Sequence, residues 1–263
     1  MSASEPGAAS GSVSAAGSPP ASSRATHGAA PPRTALVVGA TQGLGLALAA
    51  KYLREGWNVV ATTVAPSPAL EALQATSVSR PGQLCIRTLD ITDRAGAQAL
   101  ADELRGETLQ VLHVVAGVFQ ASFAPIWEQP DEEILRLLHT NAIGGIRLAE
   151  LLAGRVAAGG TFAFTSSGMG SFARNDKGDV DLYRISKVSL NMLVRSFAAR
   201  RPGDGRRVLL LCPGWAKTAM GGPDATVEVS TSVDGMYELV VNRPELGRHG
   251  AEFHEYSGAV VPW

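Results

Sequence analysis

From residue 35 onward, short apolar runs of strand length alternate with longer stretches whose apolar residues recur every three or four positions, and this alternation restricts the fold more than any other feature. The strand-like runs fall at 35–38, 58–63, 84–89, 111–116, 161–165 and 207–212, with a last one near 257–261. Helical spacing covers 43–54, 93–104, 132–152, 183–200 and 232–241. The succession predicts an α/β fold: a doubly wound parallel sheet of about seven strands with helices on both faces, joined by right-handed crossovers. Ligands bind beyond the carboxyl ends of the strands in such a sheet.

Composition sets the remaining bounds. The 263 residues, 45% of them hydrophobic, suffice for one core. Residues 1–32 are almost wholly Ala, Ser, Gly and Pro, too poor in apolar bulk to offset the entropy of ordering, so we expect a disordered tail there and a single domain over 33–263. A net charge of -1 with interspersed signs offers no footprint for nucleic acid or an anionic membrane. No apolar run nears the roughly 18 residues that span a bilayer, and the N-terminus lacks the features of a secretory signal. Cys85 and Cys212 sit in separate strand-like runs and read as core thiols in a reducing compartment. A cytoplasmic location and a small-molecule partner follow as expectations.

The first strand runs into Val38-Gly39-Ala40-Thr41-Gln42-Gly43-Leu44-Gly45, a GxxxGxG turn opening a helix. Gly39 permits a tight exit, while Gly43 and Gly45 let backbone approach a pyrophosphate favoured by the helix N-terminus. No Lys-Ser/Thr pair follows to argue for triphosphate chemistry. At the end of the third strand, Asp90 is placed either to accept a hydrogen bond from an adenine amino group or, with Thr92, to cap the next helix. Asp181-Leu182-Tyr183-Arg184-Ile185-Ser186-Lys187 opens a further helix with Tyr183 and Lys187 on one face. A neighbouring ammonium lowers a phenol's pKa, which suits the pair to proton donation toward a carbonyl receiving hydride, although the same spacing taken alone is commoner on a solvated helix face.

Together these residues resemble the short-chain dehydrogenase/reductase family over 35–263. The glycine turn, Asp90, Ala116-Gly117, Asn141, Ser166-Ser167, Tyr183-x-x-x-Lys187 and Pro213-Gly214 stand in the family's order. Ser166-Ser167-Gly168-Met169-Gly170-Ser171, Cys212-Pro213-Gly214-Trp215, Met220-Gly221-Gly222 and Val261-Pro262-Trp263 are similar to the sniffer-like carbonyl reductases. The resemblance implies a Rossmann fold and a nicotinamide-dependent oxidoreductase acting on a carbonyl or alcohol. It implies Tyr183 as general acid and Lys187 as the group that lowers its pKa and holds the nicotinamide ribose. Ser167, rather than Ser166, would orient the substrate carbonyl, and Asn141 would fix a water joining Lys187 to solvent. The implied cofactor set is Gly39, Thr41, Gln42, Gly43, Leu44, Gly45, Thr63, Asp90, Ile91, Ala116, Gly117, Asn141, Tyr183, Lys187, Pro213, Gly214, Trp215 and Thr218, with Thr218 on the carboxamide. Apart from the resemblance, Asn141 could merely bend its helix and Ser166-Ser167 could be a polar strand end.

The chain departs from the family's pattern at several points. Val38 replaces a Thr that braces the glycine turn, and Val114-Val115 replace two Asn that tie the central strand to its neighbours. His113 reads as a hydrogen-bonded core residue, and the five histidines show no metal-ligand spacing. Val64 stands where the sniffer-like branch carries an Arg that would pair with a 2′-phosphate, and no acid there grips a diol. The branch inclines the choice to NADP(H) over NAD(H). A mostly apolar substrate pocket is expected from Phe119, Gln120, 169–172 and 215–220, with the charged stretch after Arg174 a solvated loop. Two other functions compete: a catalytically weak cofactor-binding regulator or scaffold on the same fold, and an epimerase or dehydratase of the extended branch, which the glycine spacing and the lack of a second domain oppose. The family often pairs through the helices holding Asn141 and Tyr183, so a homo-oligomer is compatible with the sequence.

Overall fold

The computed structural model describes residues 33–77, 82–119 and 123–263, and the tail expected over 1–32 lies outside them. Seven strands, all paired in parallel, form one sheet: β1 (Thr34–Val38), β2 (Asn58–Thr63), β3 (Leu84–Thr88), β4 (Leu109–Val114), β5 (Val156–Thr165), β6 (Arg207–Cys212) and β7 (Ala251–Glu255). Their order is β3-β2-β1-β4-β5-β6-β7. The winding therefore reverses between β1 and β4, and their diverging carboxyl ends open the crevice in which this sheet type binds ligands.

The pleat sorts each strand between two cores. On β1, Leu36 and Val38 join a cluster with Leu112, Phe164 and Leu210, whereas Ala35 and Val37 face Leu48, Tyr52 and Met236. Helices α3 (Arg94–Glu103), α5 (Gly144–Leu151) and α6 (Asp181–Ala199) supply Leu100, Leu148 and Phe197 to the first cluster. On the opposite face, α1 (Gly43–Arg54) and α7 (Val229–Tyr237) supply Leu48 and Val233.

Several elements differ from the sequence reading. The last strand is β7 at Ala251–Glu255, not 257–261. Only Phe253 and His254 of β7 are buried, so it shows little apolar pattern. The apolar 257–261 run instead turns at Gly258 and comes back along the outer edge of β7, with Glu255 N–H donating to Ala259 and Val261 N–H to Phe253. A helix that the spacing does not predict, α2 (Pro68–Ser77), follows β2, with Leu70 as its one fully buried apolar side chain. Strand β4 ends at Val114 rather than 116 because Val115 and Ala116 both donate to the Val38 carbonyl, which breaks the regular ladder. Strand β5 starts five residues before the predicted 161, through a register shift opposite Leu109 and Val111. The stretch predicted as one helix over 132–152 is α4 (Asp131–Leu138), a π turn at His139–Ile143 that contains Asn141, and α5. Asp93, not Asp90, caps α3, accepting from the backbone N–H groups of Ala95 and Gly96.

Candidate active site

A cleft of about 560 Å³ lies along the carboxyl ends of β1 to β4 and reaches β5 and β6. Its floor is the glycine turn. Gly39 has φ +88°, and a Cβ there would stand 2.6 Å from the Ala116 Cα, so β1 and the β4 exit touch backbone to backbone. A Cβ on Gly45 would overlap the Gly39 carbonyl. Val38 lacks the expected bracing hydroxyl, and Thr62 supplies one from β2 by accepting the Gly39 N–H at 3.0 Å. Helix α1 begins at Gly43 with no side-chain cap from Gln42 and no acid in its first turn, leaving backbone N–H groups free for an anion. Across the cleft the Thr218 methyl would lie 3.4 Å from a Gly43 Cβ, so the segment after β6 closes over the turn.

The cleft brings together Gly39, Thr41, Gln42, Gly43, Leu44, Gly45, Asp90, Ile91, Ala116, Gly117, Tyr183, Lys187, Pro213 and Thr218. Asp90 uses Oδ1 to accept from the backbone and hydroxyl of Thr92 at 2.8 and 2.7 Å. Four members of the expected set stand back from the wall. Thr63 is buried, holds the Thr41 hydroxyl at 3.0 Å and donates to the Ala65 carbonyl. Gly214 packs under Tyr256, and the exposed Trp215 donates from Nε1 to the Gly221 carbonyl. Asn141 is buried behind Gly117: its Oδ1 accepts the Val118 N–H at 2.7 Å, and its Nδ2 donates to the Val118 carbonyl and to Ser186 Oγ, both at 2.9 Å. This clamp steadies the β4 exit that lacks the two asparagines. The π turn is what presents the Asn141 amide inward, and such turns gather at functional sites.

At the far end stand Tyr183 and Lys187. Burial pushes the Tyr183 phenol up to about 12, and its hydrogen-bonding neighbour Ser167 pulls the other way. Ser166 is committed elsewhere, donating to Asn191 Oδ1 at 2.6 Å. Burial pulls the Lys187 ammonium down to about 8, and its Nζ donates to the Thr165 carbonyl at 3.1 Å. The sequence expects Lys187 to depress Tyr183; Nζ lies 5.7 Å from the ring centroid, and desolvation dominates. Phe119 meets the Tyr183 ring edge-on at 5.0 Å between centroids and 90° between planes. Gln120 lies outside the described residues. Phe172, Trp215 and Met220 are exposed apolar side chains on the segments expected to line the pocket. His113 is fully buried, with Nε2 3.2 Å from the Thr165 hydroxyl, and desolvation drives its pKa down to about 3. Among the described residues no cluster of metal-ligating side chains occurs. Cys85 and Cys212 are unpaired thiols, with Cys212 buried and accepting the Gly168 N–H.

Sequence reasoning missed Arg136, Thr140, Thr165 and Val118 as cleft residues. The four-residue spacing of Arg136 and Thr140, with Asn141 following, was the available signal for the first two.

A family model described as short chain dehydrogenase matches residues 33–228, most of the chain. The chain belongs to the short-chain dehydrogenase/reductase family. A short-chain dehydrogenase/reductase from Burkholderia multivorans solved with bound NADP is 40% identical, with TM-score 0.83 over 89% of this chain and 100% of that one. The carbonyl reductase Sniffer of D. melanogaster is 26% identical, with TM-score 0.77 over 88% of this chain and all of its own. Among curated proteins, the C-signal of Myxococcus xanthus is 38% identical over 134 residues, 50% of this chain and 79% of that protein. This short-chain dehydrogenase/reductase is thus an NAD(P)-dependent oxidoreductase of the sniffer-like kind. Its residues fit a dinucleotide: the uncapped α1 terminus, the glycine backbone and Lys187 line one continuous cleft. No helix among the described residues is long and apolar enough to cross a membrane.

Proposed function

We propose that this enzyme reduces the carbonyl of a small, largely apolar molecule, with NADP(H) preferred to NAD(H), Tyr183 as general acid and 33–263 as one catalytic domain. The observation that carries the reading is the Tyr183 phenol in the cleft wall, hydrogen-bonded to Ser167 and with the buried Lys187 Nζ 5.7 Å from its ring centroid. When bound, the nicotinamide supplies the hydride. Ser167 orients the substrate oxygen, and Tyr183 gives that oxygen a proton as negative charge develops. Lys187, fixed by the Thr165 carbonyl, holds the ribose and carries the cation beside the phenol. Asn141 holds Val118 beside Gly117, where the ribose would pass, and Phe119 packs edge-on against the Tyr183 ring. Holding the reactants in line lowers the barrier by about 7 to 11 kcal/mol, and proton donation adds about 10²- to 10⁴-fold. Exposed Leu135, Leu151, Ile185 and Met192 on α4 to α6 support pairing into a homo-oligomer through those helices, and the two unpaired cysteines support a cytoplasmic setting.

Titration of the purified protein with NADPH and NADH, followed by cofactor fluorescence and then by a panel of aldehydes, ketones and quinones, tests the reading. Oxidation of either cofactor by a panel member is the expected result. Binding without turnover would favour instead a cofactor-binding regulator, a reading supported by Val64, Val114 and Val115 and by the similarity to a protein named as a signal.

A further inference from the structure

The cleft is charged unequally along its length. Among the described residues two cations line it, Lys187 and Arg136, and one carboxylate, that of Asp90. Lys187 is buried and held at the Tyr183 end, with Nζ on the Thr165 carbonyl. The other end is built from Thr62 and Val64 after β2 and from Leu89 to Thr92 after β3, where an adenosine would lie if the pyrophosphate sits on α1. Val64 is 61% exposed and brings no charge, and Gln42 is neutral. A 2′-phosphate, with a charge of about -1.5 to -2 at neutral pH, therefore meets no cation from the β2 side.

The start of α5 meets this end of the cleft. Gly144 rests on the Ile91 carbonyl, so close that a Cβ would stand 2.5 Å from it, which fixes the helix against the β3 exit. One turn earlier Thr140 lines the cleft, and about two turns earlier Arg136 does. The Arg136 guanidinium is forked onto Glu133, with Nε 3.2 and 3.0 Å from the two carboxylate oxygens and Nη2 2.6 Å from Oε2. That fork holds the long side chain in one orientation, so little rotamer freedom is left to lose on binding. Nη1 makes no hydrogen bond among the described residues, and a guanidinium presents paired N–H groups suited to phosphate oxygens.

We infer that Arg136 is the cation that reads the 2′-phosphate, so that selection of NADP(H) comes from α4 rather than from the end of β2. The inference rests on the proposed use of this cleft for the dinucleotide and deepens it. The test is equilibrium titration of NADPH and NADH by fluorescence, with wild type, Arg136→Gln and Arg136→Lys, at low and high salt. In Arg136→Gln the Kd for NADPH should rise about tenfold or more while that for NADH stays within about twofold, and Arg136→Lys should retain most of the difference. The salt dependence of NADPH binding should also flatten in Arg136→Gln. Equal weakening of both nucleotides, or no change in either, would overturn the role of Arg136 and leave the proposed function standing. Failure of the wild type to bind either nucleotide would overturn both.

Discussion

At the scale of single residues, the site depends on two groups that burial moves in opposite directions. Tyr183, near 12, is a proton donor across the physiological range, and its loss should remove proton donation without emptying the cleft. We expect Tyr183→Phe to lower turnover by about 10²- to 10⁴-fold with cofactor affinity little changed, measured by stopped-flow reduction and fluorescence titration. Lys187 is the opposite case. Its pKa falls from 10.5 to about 8 on folding, so between those values the unfolded chain binds more protons and stability rises with pH. Below about 8 the folded protein bears the full cost of a buried charge. Lys187→Met should therefore be inactive yet more stable at pH 7, by up to about 3 kcal/mol, and its urea midpoint should lack the rise that wild type shows from pH 8 to 10. An unchanged midpoint at pH 7 would mean that the ammonium is better solvated than its burial indicates.

At the scale of elements, what the sequence discloses depends on how far apart the cooperating residues are. The bounds of α1, β2 and β6 agree with the reading; α1 ends at Arg54 before Glu55-Gly56, and β6 runs from Arg207 to the residue before Pro213, so the punctuation of the chain marks both. The glycine turn and the Tyr183 helix were equally legible, each being a motif within a few positions of chain. The Thr62 brace under Gly39 and the Asn141 clamp on Val118 join residues 23 apart across different elements, and no local spacing announces them. Helix α2 escaped because a single buried leucine sets no period, and β7 because an edge strand buries so little. Two changes test this level. Asp93→Ala should cost α3 its cap and about 1 kcal/mol of stability by chemical denaturation. Gly45→Ala should abolish cofactor binding and lower the melting temperature, since the new methyl has nowhere to go but into the Gly39 carbonyl.

At the scale of the whole molecule, acid tolerance is set at the centre of the sheet. His113 is fully buried and neutral down to about 3, against an ordinary value of 6.5 in the unfolded chain. The unfolded state binds the extra proton throughout that window, so stability falls as pH drops through 6.5 toward 3. Wild type should lose about 2 kcal/mol between pH 7 and pH 5 through this group, and His113→Leu should lose correspondingly less, as read from urea midpoints at the two values. The way the chain turns back after β7 has a further consequence. Parallel sheets expose two rims of unpaired peptide groups, and the returning 259–261 stretch occupies one of them. A foreign strand is left with the rim at β3, where Arg87 paired to Glu103 places charge at the entrance. Aggregation of this protein under heat or crowding should begin at β3, and Arg87 is then a gatekeeper whose removal would cost solubility before it cost activity.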